Sequence, residues 1–239
     1  MLIAVEDPRA KAATDALRAG NLQDLQKLLT NHPELSTAYI GDSTEARTLL
    51  HILADWPGKL PNAPDSAKAL ITAGAEVNAD FHGDLHSETP LHWAASNNDI
   101  ALLDTLLDCG ANIDAEGGVI DETPLADARA FLQFEAAHRL IARGATATLQ
   151  DLATLGIVDR VGACYADSPP SKIDTSYALW NACHGSQLET ARLLHSRGGD
   201  INVVPPWENL TPLDAARRSG AEDLAEWLES IGAHSYDEK

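Results

Sequence analysis

Apolar residues along this chain fall repeatedly into two short helical stripes separated by a polar break. In the clearest stretch, Glu88 to Ala115, Leu91, Ala94 and Ala95 share one face at helical spacing. Asn97-Asn98-Asp99 then interrupts, and Ile100, Leu103, Leu106 and Leu107 form a second stripe that stops at Gly110. Thr89 is placed to cap the first helix, whose first turn opens on Pro90, where no amide hydrogen is needed. Asp99 is placed to cap the second. Each helix is too short to stand alone and a pair leaves one side apolar, so pairs must stack to bury it.

The same pattern recurs. Thr-Pro-Leu occurs at Thr89, Thr123 and Thr211, the first two copies 34 residues apart, and each of those two is followed by an apolar pair and then Gly-Ala. Aligning the rest of the chain to these copies gives about seven units: 8–35 as an N-terminal cap, 44–78, 87–115, 121–145, a degenerate 147–166, 174–202, and 209–233 as a C-terminal cap. The unit at 44–78 carries about five extra residues, which are assigned to the proline-rich segment Trp56 to Pro61, where a longer loop costs little. Glu222, Asp223, Glu226 and Glu229 on the last helix suit an exposed end.

The run Thr-Pro-Leu-His-x-Ala-Ala at 89–95, followed by a second helix and Gly-Ala-Asn-Ile-Asp at 110–114, resembles the ankyrin repeat. Together with Leu-Trp-Asn-Ala-Cys-His-Gly at 179–185 it is also similar to bacterial ankyrin-repeat proteins, a likeness that implies no activity. The resemblance implies an all-α fold: one domain over 1–239, an ankyrin-repeat solenoid of helix-turn-helix units with β-hairpin-like connecting fingers. It also implies protein binding through the fingers and the concave side of the inner helices. His51 and His92, at the fourth position of the motif, are then expected to tie adjacent fingers together by hydrogen bonds.

Charge narrows the partner. With 17 basic against 36 acidic residues the formal charge is -19, which disfavours nucleic acid and anionic membranes and favours a protein with a basic surface. Three scattered cysteines without paired spacing give neither a disulfide framework nor a zinc finger, and no signal-like or membrane-spanning segment is evident. A cytoplasmic monomer without a cofactor is expected.

Candidate binding residues lie at positions that the repeat leaves free. On the inner helices they are Asp55, Trp56, Ser96, Asn97, Phe131, Trp180 and His184; on the fingers they are Phe81, His82, Asp84, His86, Glu88, Asp121 and Trp207. Trp56, Phe131 and Trp207 are the expected interface anchors, because exposed aromatics concentrate binding energy. Trp93 and Trp180 share one motif position that usually serves packing. Strand alternation would set His82, Asp84 and His86 on one side, a set that suits zinc, but Gly83-Asp84 reads as the turn and would splay the histidines, so no metal is expected. Cys183 beside His184 lacks a third orienting group, so no catalytic residue is assigned. The alternative to a binding module is a small-molecule-binding or enzymatic repeat protein with a pocket around Trp93, Trp180 and His184.

Overall fold

The computed structural model describes residues 1–83, 87–118 and 123–238. The chain divides into two compact units, Met1–Ala145 and Thr146–Lys239. In the first, β1 (Leu2–Ile3) is followed by the helix pair α1 (Pro8–Arg18) and α2 (Leu22–Asn31), then β2 (Tyr39–Gly41) and β3 (Ala46–Arg47). Three more pairs follow: α3 (Leu49–Ala54) with α4 (Ala63–Thr72), α5 (Pro90–Ser96) with α6 (Ile100–Asp108), and α7 (Pro124–Ala130) with α8 (Phe134–Ala142). The second unit holds α9 (Leu149–Thr154) with α10 (Val158–Ala163), α11 (Lys172–His184) with α12 (Leu188–Ser196), and α13 (Pro212–Arg218) with α14 (Glu222–Ser230).

Within the first unit α1, α3, α5 and α7 pack in succession as an inner row, and α2, α4, α6 and α8 as an outer row. In the second unit α9, α11 and α13 repeat the inner row, and α10 packs on α12. The repeat solenoid implied by the sequence is thus the observed architecture. β2 runs antiparallel to β3, a hairpin between the first and second helix pairs as the connecting fingers were expected to be, and β1, which runs parallel to β2, is the addition. The ladder continues into the next finger through Ala46 and His82, whose backbones exchange two hydrogen bonds of 2.8 Å.

Local chemistry explains the helix bounds. Thr48, Thr89, Thr123, Thr148 and Thr211 sit in extended backbone as N-caps of the inner helices, and Pro90, Pro124 and Pro212 occupy the first turn. Asp99 caps α6 by accepting the Leu102 amide, and also accepts the Lys59 amide at 2.7 Å from the preceding repeat. The break inside a pair needs a left-handed residue. In the first pair this is Gly20 (φ 63°), where a β-carbon would lie 2.5 Å from the Pro61 carbonyl oxygen. The five extra residues of the second pair fall in the loop between α3 and α4.

Leu91, Leu102, Leu103, Leu106, Leu125 and Leu140 are fully buried between successive pairs, and Leu152, Leu179, Leu194, Leu213 and Leu228 do the same in the second unit. Polar side chains tie neighbouring repeats through backbone groups. Asn97 donates to the Ala54 carbonyl (2.8 Å), Asn98 accepts the Ala136 amide (2.9 Å) and Asn78 accepts the Asn112 amide (2.7 Å). His51 makes the most buried of these ties. Its Nδ1 accepts from the Thr48 amide and its Nε2 donates to the Glu88 carbonyl at 2.9 Å, as the motif implied. Burial lowers its pKa to about 4, with Arg47 and His92 pushing the same way and the Glu88 carbonyl opposing.

Two predictions follow from this packing. Leu106→Ala leaves a cavity in a fully buried site and is expected to lower unfolding free energy by about 2–5 kcal/mol in a urea melt. A loss below about 0.5 kcal/mol contradicts the packing described. As for pH, the His51 pKa lies near 4 in the fold against 6.5 for a free imidazole, so the unfolded chain takes up the proton first as pH falls. Stability from neutral His51 is complete above pH 6.5 and drains away as pH drops toward 4, by about 3 kcal/mol in the limit. The His51 ring resonances should stay those of the Nε2–H neutral form down to about pH 5 while the urea midpoint falls.

Candidate functional site

In the first unit the residues that follow the inner helices line one groove of about 510 Å³: Asp55, Trp56 and Pro57 after α3, Glu88 and Trp93 at α5, Ser96 and Asn97 at its end, and Phe131 with Gln133 between α7 and α8. Trp56 is 81% exposed and Phe131 52% exposed, so both offer apolar surface that the fold does not use. Trp93 is half-buried and forms the floor. Its indole N–H donates to Glu88 at 3.0 Å, and its ring packs on Phe81 (5.7 Å between centroids) and edge-on to His51 (5.1 Å). The Arg47 guanidinium lies 5.9 Å over the Trp93 ring and pairs with Asp55 at 2.9 Å. Asp55 also accepts the Trp56 amide at 2.9 Å, which fixes the carboxylate at the foot of the exposed indole.

The second unit carries a separate aromatic cluster. Trp207, 40% exposed, meets Tyr177 at 4.9 Å and Trp180 edge-on at 6.0 Å. Trp180 is 3% exposed, donates its indole N–H to the Leu210 carbonyl (2.9 Å) and stacks on His184 at 5.4 Å. Arg218 lies 5.8 Å over the Trp180 ring, donates to His184 Nδ1 at 3.2 Å and pairs with Glu208. Both units therefore use one device, a guanidinium held between a tryptophan face and a carboxylate.

Several sequence expectations change on this geometry. Trp180 and His184 are buried: Trp207 meets the Trp180 ring edge-on, Arg218 lies over it, and His184 stacks against it. Phe81 is half-buried and packs against Trp93. Glu88 is 6% exposed because it turns inward to the Trp93 indole. Ser96 and Asn97 are half-buried: Ser96 donates to the Trp93 carbonyl, while Asn97 ties α5 to α3 and keeps its edge in the groove. His82 is exposed, with its ring edge-on to Tyr39 at 6.5 Å. Asp84, His86 and Asp121 lie outside the described residues, which removes two members of the suggested metal set from view. Among the described residues no group of three or more His, Cys, Asp or Glu side chains is placed to hold a metal ion.

Cys183 is fully buried, and burial pushes its thiol far above the usual range, which opposes the thiolate that a nucleophile needs. Sequence reasoning missed Arg47, because its significance comes from Trp93, a residue 46 positions away that only folding brings above it. No helix of the described residues is long and apolar enough to cross a membrane.

Comparison with known proteins agrees with the architecture. A family model described as ankyrin repeats (3 copies) matches residues 11–117 and again 59–151. The ankyrin repeat and KH domain-containing protein mask-1 of Caenorhabditis elegans is 30% identical over 172 residues, 70% of this chain and 6% of that protein. Rabankyrin-5 of Mus musculus is 26% identical over 196 residues, 80% of this chain and 14% of that protein. The chain thus spans a small part of the curated relatives it matches. Among solved structures, the human ASB11 ankyrin repeat domain has a TM-score of 0.56 at 21% identity, covering 90% of this chain and 96% of that one, a likeness of fold.

Thiol chemistry checks the buried pair. In the native protein a thiol reagent should modify the half-buried Cys109 and Cys164 and spare Cys183 until denaturant is added. Rapid native labelling of Cys183, read by peptide mass, would show that this part of the inner row is open.

Proposed function

Because this chain belongs to the ankyrin-repeat family, whose stacked helix pairs generally serve as protein-interaction modules, we propose that it is a non-enzymatic binding module whose inner-row face holds a protein bearing a basic patch. The observation that carries the reading is the groove at Trp56: an indole left 81% exposed beside Asp55, with Phe131 exposed on the opposite wall. A folded chain has no structural reason to leave these rings in water, whereas interfaces concentrate their energy in such anchors. In the second unit Trp207 offers a similar partly open ring beside Glu208. The formal charge of -19 supports a cationic partner and opposes nucleic acid, because it would speed the approach of a basic surface and repel polyanions. On this reading the protein acts in the cytoplasm as a monomer that needs no cofactor.

The test uses the partner recovered by affinity purification from the cell extract. Affinity is measured for the parent, for Trp56→Ala/Phe131→Ala/Trp207→Ala, and for the outer-row control Arg139→Ala/Glu189→Ala. Each anchor is expected to cost on the order of 2 kcal/mol, the control close to nothing, and binding should weaken as salt rises. Unchanged affinity in the folded triple variant, or loss confined to the control, would place the interface elsewhere.

A further inference from the structure

Four of the five tryptophans have a ring face or edge covered by the protein itself, three of them by an arginine. Trp93 lies under Arg47, Trp180 under Arg218 (5.8 Å) and Trp227 under Arg192 (5.7 Å), while Trp207 meets Tyr177 and Trp180. Tyr165 is covered in the same way, with Arg197 at 5.1 Å. Among the described residues no lysine caps a ring in this way. Trp56 alone of the tryptophans has neither a ring partner nor a guanidinium among the described residues, and it is the most exposed of the large apolar side chains. The groove that it borders contains the remaining parts of the same device. Asp55 supplies a carboxylate, and Asn97 and Gln133 line the groove with polar side chains.

We infer that the open face of Trp56 is the seat of an arginine side chain presented by the protein partner. The inference rests on the groove being the docking surface and goes further by naming what enters it. A guanidinium is planar and weakly hydrated, so it stacks on an indole while its edge donates to acceptors around the ring. An ammonium is held more tightly by water and presents no plane to the ring. The fold already shows the geometry: the half-exposed Arg47 spans Trp93 and Asp55, both of which line the groove with Trp56. Because Asp55 is shared between Arg47 and the Trp56 amide, an incoming arginine meets a carboxylate that is already fixed in place. This selects for the residue that can satisfy several acceptors from one plane.

The experiment titrates the 15N-labelled chain of 239 residues with three blocked peptides: Ac-Gly-Arg-Gly-NH2, its lysine counterpart and its citrulline counterpart. The indole N–H resonance of Trp56 is assigned by its absence in Trp56→Phe. The arginine peptide should shift that resonance saturably, with the citrulline peptide about tenfold weaker and the lysine peptide several-fold weaker. Trp56→Ala, with its circular dichroism unchanged, should abolish the residual shifts at Asn97 and Phe131. Citrulline binding as tightly as arginine overturns the inference, as does an arginine response that survives in Trp56→Ala. Lysine binding equal to or tighter than arginine also overturns it, yet leaves the acidic groove standing as a cation site. If neither cationic peptide perturbs Trp56 or Phe131, the arginine inference fails, while the docking reading is decided separately by the affinity of Trp56→Ala/Phe131→Ala/Trp207→Ala for the recovered partner.

Discussion

Everything in this protein depends on the inability of a single helix pair to bury its own apolar side. Helices of six to thirteen residues, such as α3 and α11, have no stability in water by themselves, and a pair leaves a leucine-rich flank such as Leu102, Leu103 and Leu106 uncovered. Only the next pair can cover it. Each pair is therefore a neighbour-dependent element, and its sequence answers mainly to the pair before and the pair after. The need for close approach explains the alanines that recur through the inner row, Ala54, Ala94, Ala95, Ala128, Ala182 and Ala215, all fully buried where larger side chains would push the rows apart.

Burial of that kind creates a second problem, which the polar residues answer. The turns inside and between pairs expose backbone groups that stacking removes from water, and each must find a partner. His51 meets the Glu88 carbonyl, Asn97 the Ala54 carbonyl, Asn98 the Ala136 amide and Asp99 the Lys59 amide. These bonds run between repeats and use side chains of fixed length, so they set the spacing of the stack as well as satisfying it. Burial keeps the imidazole of His51 neutral, and the stack relies on it, because a proton on Nδ1 would remove the acceptor that the Thr48 amide uses.

Helix positions were legible because capping threonines, first-turn prolines and left-handed breaks are local, and local chemistry is written in adjacent letters. The first strand was not. β1 at Leu2–Ile3 exists only because Tyr39 and Ile40 lie beside it, and two residues carry no alternation to read. The groove was legible in part. Trp56, Phe131 and Trp207 stood at free positions of the repeat and are exposed, whereas Phe81, Glu88, Trp180 and His184 stood at comparable positions and turned inward. What separates the two groups is a partner within their own unit: Trp93 for Phe81 and Glu88, Arg218 for Trp180 and His184. A repeat alignment marks which positions are free of duty in the average copy, but it does not reveal which side chains then find work within their own unit.

That distinction bears on how such a surface acquires specificity. Each inner-row position can be closed by a neighbour's arginine or left open, and the energetic difference between the two is small for the fold, because cation–π pairs at exposed sites contribute only about 0.5–1 kcal/mol. The same pair formed across an interface and shielded from water contributes about 2 kcal/mol or more. A chain with eleven arginines and six lysines has enough guanidinium to close most of its rings from within, and it does so at Trp93, Trp180 and Trp227. Leaving Trp56 open therefore sacrifices little stability and keeps one strong contact for a partner. The fixed carboxylate of Asp55 gives that contact its sign, and the ring gives it its shape.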